Sequence, residues 1–132
     1  MHLTLESDYA VRIVYVLACS RARMDAKAIS EGAGGTLRFS LKILRKLVGA
    51  GIAKSFKGTQ GGYELARDPS EISAYDVISV IEGPIHFSRC IDSDFICTRV
   101  KEKPCEFCRG FEEVSDLVRE KFSAMTFDKF IG

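Results

Sequence analysis

Four of the chain's five cysteines lie in one stretch, CIDSDFICTRVKEKPCEFC. Cys90, Cys97, Cys105 and Cys108 follow the spacing C-x6-C-x7-C-x2-C. Thiolates so placed can hold a zinc ion, an iron–sulfur cluster or each other. A zinc site usually draws on two short ligand pairs, and here only Cys105 and Cys108 make one. A disulfide is disfavoured in a reducing compartment, and no secretory signal is expected from this N-terminus. A cluster takes thiolate ligands and tolerates irregular spacing. The plain alternative is a loop with redox-labile thiols. Acids, lysines and a proline fill the gaps without a helical or strand period, so apolar burial alone cannot fix the segment.

The remaining chain has to position these thiols. At 132 residues, with 46% apolar and 28% charged residues, one packed domain with an appendage is expected. No apolar run is long enough to cross a bilayer, so no membrane partner is expected and a cytoplasmic location is. The net charge is only +1, but it is unevenly spread. Between Thr36 and Arg67 seven cations face one acid, a local +6, and the remainder carries −5. Such a basic third suits an anionic partner.

Taken in order, LTLESDYAVRIVYVLAC reads as a helix capped by Thr4 or Ser7. It is apolar nearly all round, with Cys19 as a core thiol and Asp8 complementing the helix dipole. A short helix over Lys27–Ala33, with Ala28, Ile29 and Ala33 inward, ends at Gly34-Gly35. Thr36 then caps a helix whose Leu37, Leu41, Leu44 and Val48 recur at helical spacing, with Ile43 and Leu47 widening the stripe. Arg38, Lys42, Arg45 and Lys46 lie off that stripe. Two short helices around a glycine turn, the second basic, have the form of a helix-turn-helix.

Ile52–Phe56 and Tyr63–Ala66 read as strands joined by the glycine-rich turn KGTQGG, a hairpin placed as a wing. The glycines lack the order of a nucleotide phosphate loop. Ser73 caps a helix over Ala74–Glu82, stopped by Gly83-Pro84. After the thiols, Phe111, Val114, Val118, Phe122 and Met125 form an apolar seam on a last helix. That seam suits either its own domain or a second subunit, and the apolar tail Phe127–Ile131 suits the same surface. The expected fold is therefore mostly α with a small β-hairpin wing. Residues 1–83 form a winged helix-turn-helix domain, 84–108 a cysteine loop, and 109–132 a dimerisation helix and tail. A thiol enzyme built on Cys105 and Cys108 is not expected, because such pairs normally open a helix after a strand.

The segments LTLESDYAVR, AISE, KILRKL and KGTQGGYELARDPSEISAYDVISVIEGPI carry a resemblance to the Rrf-two family of winged helix-turn-helix regulators. The resemblance covers nearly the whole chain. It implies a homodimer that binds double-stranded DNA and, in many members, an iron–sulfur cluster between wing and dimerisation helix. Cys90, Cys97 and Cys105 match the three cluster cysteines. Cys108 stands where some members have a histidine, and Asp8 matches an aspartate that other members lend from the partner's first helix. Cys108 goes with a two-iron two-sulfur cluster, the leading expectation, and Asp8 with a four-iron four-sulfur one. His86 is a further candidate ligand. Lys57 stands where the family often has arginine, and Gly35 where it usually has an apolar residue. The expected DNA contacts are Thr36, Arg38, Phe39, Lys42 and Arg45 on the recognition helix, with Lys54, Lys57 and Gln60 on the wing. The implied function is a transcription regulator sensing redox state, nitric oxide or iron status. The alternative is a cluster-free repressor of the same fold, gated by thiol oxidation or by a protein partner.

Overall fold

The computed structural model describes residues 1–92, 94–99 and 105–131. Thr4 caps α1 (Leu5–Ser20) through its side chain, which accepts from the Ser7 N–H, and Glu6 and Asp8 lie in the positive first turn. One face of α1 buries Ala10, Ile13, Val14, Leu17 and Ala18, and Ile13 and Val14 are fully enclosed. Burial on that scale is worth about 1.5–3 kcal/mol per large side chain. The helix is the hub, packing against α2 (Ala26–Ala33), α3 (Leu37–Gly49) and α4 (Ala74–Glu82).

The opposite face of α1 is open, which corrects the reading of Cys19. The thiol is exposed, one turn beyond Tyr15, itself 42% exposed. Asp8, Arg12, Tyr15 and Cys19 recur at three- and four-residue steps, and that row points away from the core. The apolar look of the sequence concealed a one-sided helix.

Asp25 caps α2, and Gly34 ends it in the left-handed region at φ 78°. Ile29, Ser30 and Ala33 face inward, with Ala28 only half-buried. In α3 the inward face is Ser40, Ile43, Leu44 and Leu47, rotated from the expected leucine stripe. Leu37 is 45% exposed, and Leu41 and Val48 are half-buried. Ser40 is fully buried, a polar residue at a core position of the helix.

Strands β1 (Ala53–Phe56) and β2 (Gly62–Leu65) pair antiparallel, with Ala53 opposite Leu65 and Phe56 opposite Gly62. The loop before α2 adds a bridge in which Met24 and Tyr63 exchange both backbone hydrogen bonds, 2.9 and 2.7 Å. Ser73 and Asp76 form a full capping box on α4. The last helix, α5, runs Glu106–Ala124. It starts three residues before the expected boundary at 109, so Cys108 sits in its first turn and Cys105 is its N-cap. Phe127 then buries in the domain's own core, while Phe130 stays 50% exposed, so the tail divides between core and surface. No helix among the described residues is long and apolar enough to cross a membrane.

Candidate nucleic-acid interface and thiol segment

The hydroxyl of Thr36 accepts from the Phe39 N–H at 3.2 Å and starts α3 with a fixed N-terminus. Arg38, Lys42 and Arg45 project from the exposed side of α3 and line a shallow concavity with Thr36, Leu37, Phe39 and Leu41. Phe39 is half-buried and sets its ring edge-on to Tyr9, centroids 5.5 Å apart. Glu6 reaches across from α1, with Lys46 Nζ at 2.6 Å and Lys42 Nζ at 3.8 Å. Lys46 therefore braces α3 against α1, and Lys42 is shared between that acid and the open face. Half-exposed pairs of this kind add at most about 1 kcal/mol.

The turn between α2 and α3 is gripped from α1. Tyr9 donates its hydroxyl hydrogen to the Gly34 carbonyl at 3.2 Å, and Arg12 Nη1 donates to the Ala33 carbonyl at 3.4 Å. The Arg12 guanidinium also stacks 4.7 Å from the Tyr9 ring centroid. A Cβ on Gly35 would come within 2.8 Å of that ring, which explains a glycine at this position. Asp8 pairs with Arg12 at 2.9 Å. Its carboxylate thus supports the turn-gripping arginine within this chain.

On the wing, Lys54, Lys57 and Gln60 are exposed. Gly58 takes a φ of 91° and lets the tip turn. A residue that sequence patterning missed lies behind it. Arg23, in the stretch between the first two helices, places its guanidinium 3.4 Å from the Phe56 ring centroid. Its Nη1 donates to the Gln60 carbonyl at 2.9 Å, and Nε lies 3.9 Å from Glu64. No periodicity marks such a residue; only its place beside Met24, which bridges to the wing, gives it away.

The thiols Cys90, Cys97, Cys105 and Cys108 are all half-buried. Cys90 lies in a 3-10 turn over Arg89–Ile91, where the Ser88 side chain accepts from the Cys90 N–H at 3.2 Å. Arg99 Nη2 donates to Cys105 Sγ at 3.1 Å and lies 4.8 Å from the Phe107 ring centroid. The Cys108 N–H first, then Arg99, hold the Cys105 thiol below the ordinary cysteine range. Cys105 is the N-cap residue of α5, so the Cys108 N–H belongs to the helix's positive first turn. His86 Nε2 stands 3.8 Å from Asp92 Oδ1.

These donors suit iron–sulfur chemistry in kind: four thiols, one already biased toward thiolate by a helix N-terminus and an arginine. Among the described residues, however, no three His, Cys, Asp or Glu side chains converge on one point. Asp8 has Arg12 as its ion-pair partner. Residues 100–104, between the second and third thiols, lie outside the described residues.

The N-terminal end of the thiol segment is tied to α5 by two bonds. Arg119 Nε donates to the Ile85 carbonyl at 2.7 Å, and the Phe87 N–H donates to the Ser115 hydroxyl at 3.0 Å. Ser115 is fully buried and donates in turn to the Phe111 carbonyl. The other side of α5 is bare: Phe107, Phe111, Val114 and Leu117 are 63, 47, 46 and 66% exposed. Of the expected seam, Phe111 and Val114 lie in this open part, whereas Val118, Phe122 and Met125 are half-buried.

The family model for Rrf2, described as an iron-dependent transcriptional regulator, matches residues 3–132. The chain belongs to the Rrf2 family. It is 32% identical over 94 residues to protein aau3 of Rhizobium meliloti (strain 1021), which covers 70% of this chain and 61% of that protein. The chain thus spans less than two thirds of that relative's length. The structure of CymR, the global cysteine regulator of B. subtilis, superposes with a TM-score of 0.80 at 24% identity. That match covers 98% of this chain and 95% of CymR and supports the fold. T. potens IscR superposes with a TM-score of 0.78 at 25% identity, covering 98% of this chain and 85% of IscR. The winged helix-turn-helix expectation is met, with five helices and one antiparallel hairpin among the described residues.

Proposed function

We propose that this Rrf2-family chain is a homodimeric, DNA-binding transcription regulator whose hold on DNA is set by an iron–sulfur cluster. One observation carries the DNA reading: the exposed cations of α3 and of the wing share the basic third of the chain. Arg38, Lys42 and Arg45 meet the major groove and its phosphates, with Phe39 and Thr36 at the leading end of the helix. Lys54, Lys57 and Gln60 follow the neighbouring backbone and minor groove. Pairing two chains through the bare side of α5 would set two recognition helices on successive major grooves, about 34 Å apart.

Cys90, Cys97 and Cys105 are the ligands assigned to the cluster. Cys108 completes an all-thiolate set for a two-iron two-sulfur cluster, and Asp8 is the alternative donor for a four-iron four-sulfur one. When bound, the cluster supplies redox-, iron- or nitric-oxide-sensitive chemistry. This chain's own part is to close residues 90–108 around it and to pass the change through the Ile85 and Phe87 ties to α5. Two states with different contacts there suffice, at about 1–3 kcal/mol, for graded control.

A second reading keeps the fold and drops the cluster: a repressor gated by thiol oxidation or a protein partner. It is favoured by the finding that no three His, Cys, Asp or Glu side chains come together among the described residues. Salt titration of duplex binding tests the DNA half of the proposal. Arg45→Ala should weaken binding and flatten the slope of log affinity against log salt by about 0.9. An unchanged slope in every single-cation variant of Arg38, Lys42 and Arg45 would remove α3 from the interface.

A further inference from the structure

The wing is a two-strand hairpin, and such hairpins hold their shape poorly alone. Its tip therefore needs an anchor outside itself if it is to present side chains to DNA in one pose. We infer that Arg23 is that anchor, a positioning residue for the wing's DNA contacts, not a DNA contact itself. The inference rests on the proposed role of the wing and adds a residue from a different part of the chain.

Three groups of contacts converge on this role. The guanidinium lies over the Phe56 ring, 3.4 Å from its centroid and well inside cation–π range. The same group donates to the Gln60 carbonyl at 2.9 Å, which fixes the backbone of a residue at the tip. Glu64, at 3.9 Å from Nε, balances the charge on the return strand. Arg23 therefore touches the outgoing strand, the tip and the return strand at once. The backbone behind it is locked as well. Met24 bridges to Tyr63 on both sides, and a Cβ on Gly62 would come within 2.5 Å of the Met24 carbonyl oxygen. The contact is thus too close for any residue but glycine, whose φ here is 138°.

A planar fork is needed for this task. Lysine would keep the positive charge but lose both the stack and the geometry toward Gln60. That difference separates positioning from direct phosphate contact. The probe is the tightest duplex that the full chain, purified without oxygen, selects from a random pool. Arg23→Ala and Arg23→Lys should both weaken binding to it roughly ten-fold, the size of one lost groove contact. Phe56→Val, which leaves the Arg23 charge in place, should do the same. In a Lys57→Ala/Gln60→Ala background, Arg23→Ala should cost little more, because the groups it positions are gone. Amide exchange at 57–61 should speed up while the helices keep their protection. Wild-type affinity in Arg23→Lys, or a full additive loss in the triple variant, would make Arg23 a direct contact and overturn the inference. Wild-type binding by Lys57→Ala/Gln60→Ala would instead remove the wing from the interface, and this inference with it.

Discussion

Cys105 is the residue on which local chemistry is most concentrated. The N–H of Cys108 and the Arg99 guanidinium both favour its thiolate. Its alkylation midpoint in reduced, metal-free protein should therefore lie below the ordinary thiol value of about 8.5. Arg99→Ala removes one of the favouring groups, so the midpoint should move up. An unmoved midpoint in a pH series with iodoacetamide and peptide mass readout would discount Arg99. Glu6 is the second informative residue, an acid aimed at the basic face. Glu6→Gln releases Lys42 and Lys46 toward DNA, and binding should tighten severalfold at low salt and converge with wild type at high salt. Fluorescence anisotropy across a salt series checks this, and weaker binding at low salt would show that Glu6 holds the cations in place. Residue types announced the thiols and the basic helix. They did not announce Arg23, because a single long-range contact leaves no period in a sequence.

At the scale of elements, the helices were legible where their ends carry chemistry. Ser73 and Gly83 bracket α4 as read, and Thr36 starts α3 as read. The faces were harder. In α3 only two of the four leucines, Leu44 and Leu47, are core positions, and the inward Ser40 is invisible to a count of apolar residues. In α1 the nearly continuous apolar run hid an open face with Cys19 on it. The start of α5 was masked because Glu106 and Cys108 look like loop residues until the cap at Cys105 is seen. Packing assigns α3 a definite core contribution. Ile43→Ala, at a fully buried site, should cost about 2–5 kcal/mol in urea unfolding. Leu37→Ala, at the exposed start, should cost well under that. Equal losses at the two sites would return the core to the leucine stripe.

For the whole molecule, the same helix that ties the thiol segment to the fold also carries the uncovered apolar row. Ser115 and Arg119 of α5 hold Ile85 and Phe87, while Phe111, Val114 and Leu117 face outward. In the proposed function, pairing of chains and the state of the thiols would therefore act on one element. Phe111→Asp/Leu117→Asp should convert a dimer into a folded monomer, read by sedimentation with an unchanged far-ultraviolet spectrum. A variant that still sediments as a dimer would place the interface elsewhere. The family's wing, turn and recognition helix were legible across nearly the whole chain because short, polar, glycine-marked signals fix them. Ligation was less legible, since it depends on how a segment closes and not on its composition.

The most direct measurement of the central claim pairs composition with grip. The full chain is purified without oxygen, assayed for iron and acid-labile sulfide, and titrated against its selected duplex before and after cluster removal. The expected result is iron and sulfide bound in wild type, lost in Cys97→Ala without loss of fold, and a duplex affinity that changes about ten-fold or more with the cluster. Protein devoid of iron and sulfide, or a duplex affinity indifferent to them, would contradict it.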